Sequence, residues 1–581
     1  MMKPEKLAVR AINQYRRRDI LAYLGLRYYL DNDCAKKDIW AKDIATHLVM
    51  TREEPLYFCS YHFKKMAENN TDIEYRKIYL PGANEMFAES ALLDACSKEP
   101  AFKASSCVYS YHFPEKSSKE GIFTNYFPKF QKRNNDIAEF CKNPNHAIVR
   151  YTDIKKFYPS ISHELALKAW RLACNSSKLS TQSRDLGEIL LAQYAKVSKT
   201  QNEGLGLLTG PMFSHLIANL VLFEVDDFMF KYMDGKYWRY VDDFVLAGDE
   251  NKIETGRNEL KKRLDDIGFL LHDTYKDFKL GSSQWLKETN PIEKEKTKLW
   301  IGLIANIKRF LIVKPEERSN LKRAFFQEEI RIPLLDYSQT VFESLSLEKF
   351  YDWLRKYPWA PNSVKSLTVA RLLQDARTAR QVYHQEIHKI LDKDSNIEGY
   401  VRKQLISKLR FYAKRLSYLA SSETLALLST ALTNYPELFL QSEVMRAIYS
   451  QDVSSLIKLG TNAVQAAAQI LRIQENPVIC SLHSFGKVEL QGLAILRLNG
   501  IKIKFLDSLD IHATIDPFNQ FALGINSVEL MRSENLYIKE IACLRGVDRE
   551  LKHSDLLNTA FDRDETLSFD IIDQLEVSSY F

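Results

Sequence analysis

The chain has 581 residues, enough for two or three domains, and its 45% hydrophobic and 27% charged residues exclude a disordered or fibrous polymer. No apolar run reaches the roughly 18 residues that a membrane-spanning helix needs. A formal net charge of +6, set against 81 basic and 75 acidic side chains, permits a phosphate-rich partner without demanding one, so function has to be read from motifs.

The first 23 residues, MMKPEKLAVRAINQYRRRDILAY, are basic and amphipathic but contain neither an apolar core segment nor a small-residue cleavage site, so no export signal is expected. The eight cysteines, Cys34, Cys59, Cys96, Cys107, Cys141, Cys174, Cys480 and Cys543, form no C-x-x-C pair, and no histidine stands near them at zinc-ligand spacing. They are expected to be reduced and mostly buried, as suits a cytoplasmic protein. Residues 1–315 mix helical patterns with short β-favouring segments at 147–151 (AIVRY), 237–247 (YWRYVDDFVLA) and 299–313 (LWIGLIANIKRFLIV), an α+β signature. From 316 to 581, apolar residues recur at three- and four-residue spacing in the segments 365–376, 378–393, 400–420, 423–434, 441–449, 462–473 and 488–498. This part is expected to be an all-α domain of stacked helix pairs, HEAT-like, with an irregular bundle as the alternative because no fixed-period repeat is visible. No low-complexity linker separates the two parts, so they are expected to pack together.

Three elements of the first part carry chemistry. In IVRYTDIKKFYPSIS (148–162) an apolar strand ends in Asp153, turns through Lys155 and Lys156 to Phe157 and Tyr158, and leads to a helix starting near Ser162. Next comes a glycine-rich turn, Gly204 to Pro211, whose glycines let backbone approach a base pair, followed by a helix with Ser214, Ala218 and Asn219 on roughly one face. The third element is Tyr240-Val241-Asp242-Asp243-Phe244, flanked by Trp238, Val245 and Leu246, which reads as a hairpin with two carboxylates at one end. A Tyr-x-Asp-Asp arises by chance in about one chain in ten, so its weight comes from its companions. Phosphoryl transfer from a nucleotide uses two divalent ions about 3.5–4 Å apart, and hard cations require carboxylate oxygens. The Asp pair therefore needs a third carboxylate from another strand, and Asp153 supplies it. Without the hairpin, Asp153 would read as a turn or helix-capping residue.

The ordered set TDIKKFYPSI, GLLTGPMFSHLIANL and YVDDF resembles motifs A, B and C of reverse transcriptases, with IGFLLHDTYK (267–276) similar to motif D and KLWIG (298–302) to motif E. The resemblance spans roughly residues 70–312 and implies a right-hand polymerase, with fingers and palm in residues 1–315. It implies a Mg²⁺ (or Mn²⁺) site at Asp153, Ile154, Asp242 and Asp243, in which Asp153 and Asp242 are the main ligands and Asp243 sets geometry. Tyr158 resembles the steric gate that rejects a 2′-hydroxyl and so selects dNTPs, with Phe157, Thr209 and Gly210 as further substrate contacts. Lys276 falls where motif D places a lysine that protonates pyrophosphate; a surface lysine is the competing reading. YRKIYLPGANEMFAESALLDAC (75–96) is similar to the fingers segment whose arginine meets the triphosphate, which points to Arg76 and Lys77. One departure is Leu208-Thr209-Gly210, where many reverse transcriptases carry Pro-Gln-Gly.

The Thr-Gly form of motif B, the YVDDF and a helical extension directly after motif E resemble the bacterial abortive-infection (Abi) and related defence reverse transcriptases. That resemblance implies antiviral defence by a homo-oligomer without membrane attachment. It also implies a single-stranded DNA product, made without template in several members and joined to the protein through a hydroxyl, here one of 29 tyrosines. The helical part would replace or extend the thumb. Its basic segment 400–415, with Tyr400, Phe411 and Tyr412, is a candidate surface for stacking bases. Three other functions are weighed. The first is an RNA-templated reverse transcriptase copying a dedicated RNA. The second is a silent scaffold, against which three converging carboxylates speak, because repulsion raises their pKa values and costs stability. The third is an RNA polymerase, disfavoured by the Tyr158 ring.

Overall fold

A computed structural model describes residues 45–67, 72–114, 121–124, 126–142, 148–200, 204–272, 276–288, 294–334, 367–392, 399–474, 476–506 and 517–524, together with positions 11 and 14. Cys34, Cys543, most of the basic N-terminal segment, Asp273, Thr274, Tyr275 and the Tyr400 side chain lie outside the described residues. Strands Tyr57–Met66 (β1) and Ile73–Pro81 (β2) form an antiparallel hairpin, after which Gly82 opens helix Ala83–Cys96 (α1). Helix Tyr126–Cys141 (α2) precedes strand Ile148–Asp153 (β3). Ser162 then caps helix His163–Asn175 (α3), its hydroxyl accepting the Leu165 N–H at 3.1 Å, which places the helix start where the sequence has it.

Two consecutive helices, Met212–Val221 (α4) and Phe223–Tyr232 (α5), lead into strands Tyr237–Tyr240 (β4) and Asp243–Gly248 (β5), the expected hairpin. Helix Glu250–Asp265 (α6) and strand Phe278–Gly281 (β6) complete a four-stranded antiparallel sheet in the order β4-β5-β3-β6. Val245, Leu246 and Ala247 of the inner strand β5 have no exposed surface, the pattern of a strand covered on both faces. Helix α6 packs on β3 and β5.

The segment 299–313 corrects a reading: it is not β-structure but part of helix Lys294–Val313 (α7). Its β-favouring residues hide a helical period, since Trp300, Leu303, Ile304, Ile307, Phe310 and Leu311 recur at three- and four-residue steps and are all buried. The stretch that resembles motif E thus lies on this helix.

Beyond it, helix Val369–Leu391 (α8) packs on Gly399–Leu419 (α9), and Ser422–Leu432 (α10) packs on Phe439–Ser450 (α11). Helix α11 meets Thr461–Gln474 (α12), and α12 meets Lys487–Leu498 (α13). This part is not all-α, because Val478–Cys480 (β7) pairs in parallel with Ile503–Phe505 (β8). Phe411 and Tyr412, offered above as base-stacking rings, are 8% and 2% exposed and pack on Tyr383 instead. The apolar face of α9 holds these rings in the core, which leaves no open ring face on which a nucleic-acid base could stack.

The two parts are packed together. The outer edge of β1 is closed by side chains rather than by another strand: Gln491 donates to the Cys59 carbonyl at 2.7 Å and accepts the Tyr61 N–H at 3.2 Å. Asn462 accepts the Phe63 N–H at 3.1 Å, and the Ser60 and Thr461 hydroxyls share a hydrogen bond of 2.7 Å. Every second residue of an edge strand turns its N–H and C=O outward, and these amides satisfy that row. The described cysteines form no disulfide with one another; five are buried and Cys59 is half-buried. Among the described residues no helix is long and apolar enough to cross a membrane.

Candidate metal centre

Register builds the site. In the β3–β5 ladder Asp153 stands directly opposite Asp243, so both carboxylates leave the same end of the sheet, and Asp242 occupies the adjoining turn. The Ile154 N–H donates to the Asp242 carbonyl at 3.2 Å, tying the turn to the end of β3. One carboxylate oxygen from each of Asp153, Asp242 and Asp243 lies within 4.8 Å of the other two. Asp153 and Asp243 are buried, while Asp242 keeps a strip of solvent access.

The turn is strained, since Val241 has φ of 57°, a left-handed value rare for a β-branched residue. Two bonds hold it there. Its N–H donates to the Ser110 hydroxyl at 3.0 Å, and its carbonyl accepts from Arg239 Nη1 at 2.7 Å. Arg239 is fully buried on β4 and is neutralised by Asp226 of α5, with Nε at 2.8 and 3.0 Å and Nη2 at 2.7 Å from the carboxylate. Asn219 of α4 joins this network, donating to the Ser110 carbonyl at 3.2 Å and accepting from Arg239 at 3.3 Å. Asn219, one of the small and polar residues that share a face of this helix, is therefore used to brace the turn.

Burial, followed by the negative charges of Asp153 and Asp243, holds the Asp242 pKa well above the ordinary carboxylate value. Lys276 counters that repulsion. Its ammonium donates to Asp153 Oδ2 at 2.5 Å, and although burial works against its charge, Asp153 together with Asp242 and Asp243 offsets this and raises the lysine pKa. Lys276 is thus an ion-pair partner of the centre rather than a surface lysine. On the inner side the Tyr151 hydroxyl donates to Asp243 Oδ1. Burial and the neighbouring Asp243 push the Tyr151 pKa far up, so it remains a donor. The other Asp153 oxygen, Oδ1, is buried without a hydrogen-bond partner. A buried anionic oxygen left in that state, facing two further carboxylates, is a donor set that suits a hard divalent cation.

Around the centre, the expected substrate residues are dispersed. Phe157 is a correction: it is 3% exposed and packs on Phe269 at 5.4 Å, a core ring rather than a substrate contact. Lys156, at φ of 51°, turns the chain so that Phe157 points inward while Tyr158 stays half-buried. The Thr209 carbonyl accepts the Tyr79 N–H at 2.8 Å, joining the glycine-rich turn to β2. Gly210 has φ of 131°, and a Cβ there would collide with the Tyr79 carbonyl, so no other residue fits. Arg76 and Lys77 stand on β2 opposite His62 and Tyr61, in a different sheet from the carboxylates.

Sequence reading missed Tyr151, Ser110, Asp226, Arg239 and Glu89. Tyr151 was available, since two residues before Asp153 on a strand is the same face. Arg239 also left a signal, as a charge inside an otherwise apolar strand that demands a buried counter-charge. Glu89 of α1 is buried and accepts the Met212 and Phe213 N–H groups at 2.9 and 3.3 Å, capping α4 from a distant helix where Pro211 offers no side-chain cap.

No protein-family model matches the chain, and no curated protein matches it. Among the solved structures it is similar to is telomerase from Candida albicans in complex with a fragment of telomeric RNA, at 14% identity and a TM-score of 0.26, over 66% of this chain and 67% of that one. Likeness at that level establishes neither fold nor activity.

Proposed function

We propose that the chain is a nucleotidyltransferase of the reverse-transcriptase type, with fingers and palm in residues 1–315 and a helical domain in residues 316–581 that replaces or extends the thumb. One observation carries this reading: Asp153, Asp242 and Asp243 bring carboxylate oxygens within 4.8 Å of one another at the end of an antiparallel sheet. Asp153, Asp242 and Asp243, with Ile154 alongside, would hold Mg²⁺ or Mn²⁺. Such ions, when bound, activate an attacking 3′-hydroxyl and stabilise the pyrophosphate leaving group.

The protein's own groups have separate tasks in this reading. Tyr158 forms the wall beneath the sugar and selects dNTPs. The turn at Thr209 and Gly210, fixed on Tyr79, borders the nascent base pair. Arg76 and Lys77 meet the triphosphate. Lys276 leaves Asp153 when the centre is loaded and donates a proton to the departing pyrophosphate. The resemblance of motif B and the helical extension to the abortive-infection group supports a role in antiviral defence. There a homo-oligomer synthesises single-stranded DNA attached through a tyrosine.

The test is incubation of purified protein with Mg²⁺ and labelled dNTPs, without template or primer, followed by denaturing electrophoresis before and after protease. Label that stays with the protein and shifts on proteolysis is the expected result. Product only on addition of RNA would replace untemplated synthesis with templated reverse transcription. Equal incorporation by the Asp242→Asn, Asp243→Asn double variant would remove the assignment of the centre.

A further inference from the structure

The half-buried Tyr158 ring is tied down by two residues that the polymerase reading leaves unexplained. Its hydroxyl is hydrogen-bonded to Nδ1 of His215, with the two rings edge to face at 5.4 Å and 88°. His215 is 2% exposed and lies one turn into α4, so its place depends on the close approach of Gly210 to Tyr79 just before that helix. On its other side the imidazole stacks on Tyr111, with centroids 4.1 Å apart and planes within 5°. Tyr111 is itself in the left-handed region at φ of 52°, a conformation costly for a bulky residue, and its ring is backed by Phe123 at 5.4 Å. A polar ring in this position is a poor choice for packing alone. An apolar side chain would fill the space without needing a partner for a buried nitrogen.

We infer that His215 and Tyr111 are positioning residues that clamp Tyr158 and thereby set discrimination between deoxyribonucleotides and ribonucleotides; this rests on the polymerase reading. A side chain with an exposed edge can move between χ1 wells, and a wall that swings aside does not exclude one extra hydroxyl. Fixing the phenol at its hydroxyl end removes that freedom. In the tautomer with Nδ1 as the acceptor, the same bond takes up the phenol proton, so the ring has no donor left for an incoming 2′-hydroxyl. Rejection then combines a rigid steric wall with an unsatisfied hydroxyl on the wrong substrate, and unpaired polar groups are what give large selectivity ratios. The stack on Tyr111 keeps the imidazole in the plane where Nδ1 faces the phenol.

The experiment uses the full chain and measures kcat and KM for one dNTP and its matching rNTP in wild type, His215→Phe, His215→Asn, Tyr158→Phe and the His215→Phe, Tyr158→Phe double variant. His215→Phe keeps a ring for the Tyr111 stack but removes the acceptor, whereas Asn places its amide oxygen near the position of Nδ1. The ratio of kcat/KM values, dNTP over rNTP, should fall about fivefold in His215→Phe and in Tyr158→Phe, the scale of one hydrogen bond. The fall should come through a lower KM for the ribonucleotide. His215→Asn should restore the ratio, and the double variant should lose no more than either single, because both remove one bond. Equal losses for both sugars, or an unchanged ratio in Tyr158→Phe, would overturn the clamp and leave His215 as packing. If His215→Phe fails to fold, Tyr158→Phe, which deletes a single oxygen, decides alone. A wild-type chain that incorporates neither sugar refutes the polymerase reading itself, and one that uses both equally refutes the gate.

Discussion

Replacing Asp226 by Asn removes the carboxylate that neutralises the Arg239 guanidinium, a group with no exposed surface. Three contacts of 2.7–3.0 Å and the Tyr237 hydroxyl bond at 2.8 Å weaken together, and the arginine stays charged because its pKa has no lower state to escape to. Breaking a buried pair in this way costs about 3–5 kcal/mol. The exposed pair of Arg171 and Glu188 is the control, and Glu188→Gln should cost no more than about 1 kcal/mol. Guanidinium unfolding followed by tryptophan fluorescence measures both, with Trp238 beside Arg239 on β4 as a local probe. The double replacement Asp226→Leu, Arg239→Met exchanges the pair for apolar volume and should recover most of the stability, to within about 1 kcal/mol. It should not recover nucleotide incorporation, because the Val241 carbonyl has lost its Arg239 donor and the strained turn carrying Asp242 is released. A loss below about 1 kcal/mol for Asp226→Asn, or a fully active double variant, would refute this account of how the turn is held.

Further outcomes follow from the same contacts. Millimolar Mn²⁺ should raise the melting temperature of the wild-type chain and leave Asp153→Asn unchanged, since the neutral amide gives the cation no anionic oxygen where the wild type has a buried Oδ1 without a hydrogen-bond partner. Gly210→Ala should destabilise by several kcal/mol through its collision with the Tyr79 carbonyl and its φ of 131°, whereas Gly302→Ala, in α7 with open space around it, should stabilise by about 0.5–1 kcal/mol. Burial, only partly offset by Arg446, raises the pKa of Glu443 in α11. The fold then has its full stability below the ordinary glutamate pKa of about 4.3 and loses some as pH rises through the raised value. Glu443→Gln should accordingly melt higher than wild type at pH 8 and lose that advantage towards pH 5; a gap independent of pH would contradict the shift.

The carboxylate centre is legible in the sequence because each of its parts is local. A β-period run ending in Asp153, a second strand pair interrupted by Asp242 and Asp243, and Ser162 at a helix start are all patterns within about ten residues, governed by backbone geometry. Helices α9 to α13 were legible for the same reason, whereas the separate segments 365–376 and 378–393 are joined in the single helix α8. Segment 299–313 was not, because Ile, Val, Phe and Trp favour strands individually while the spacing of Trp300, Leu303, Ile304 and Ile307 follows a helix, and burial against the rest of the core decides between them.

What holds the site could be found only in three dimensions. Of the adjacent Asp226 and Asp227, one faces Arg239 and the other pairs with Lys231 on the surface, a choice made by how α5 rolls against β4. Gln491 closes the edge of β1 across a separation of 430 residues, and Glu89 caps α4 across 123. Such contacts satisfy buried backbone groups that any fold must satisfy somehow, so no periodicity records which distant side chain does it. Spacing along the chain determined where the carboxylates stand in their strands. Long-range packing determined that they meet, and that the turn, the lysine and the tyrosines around them stay in place.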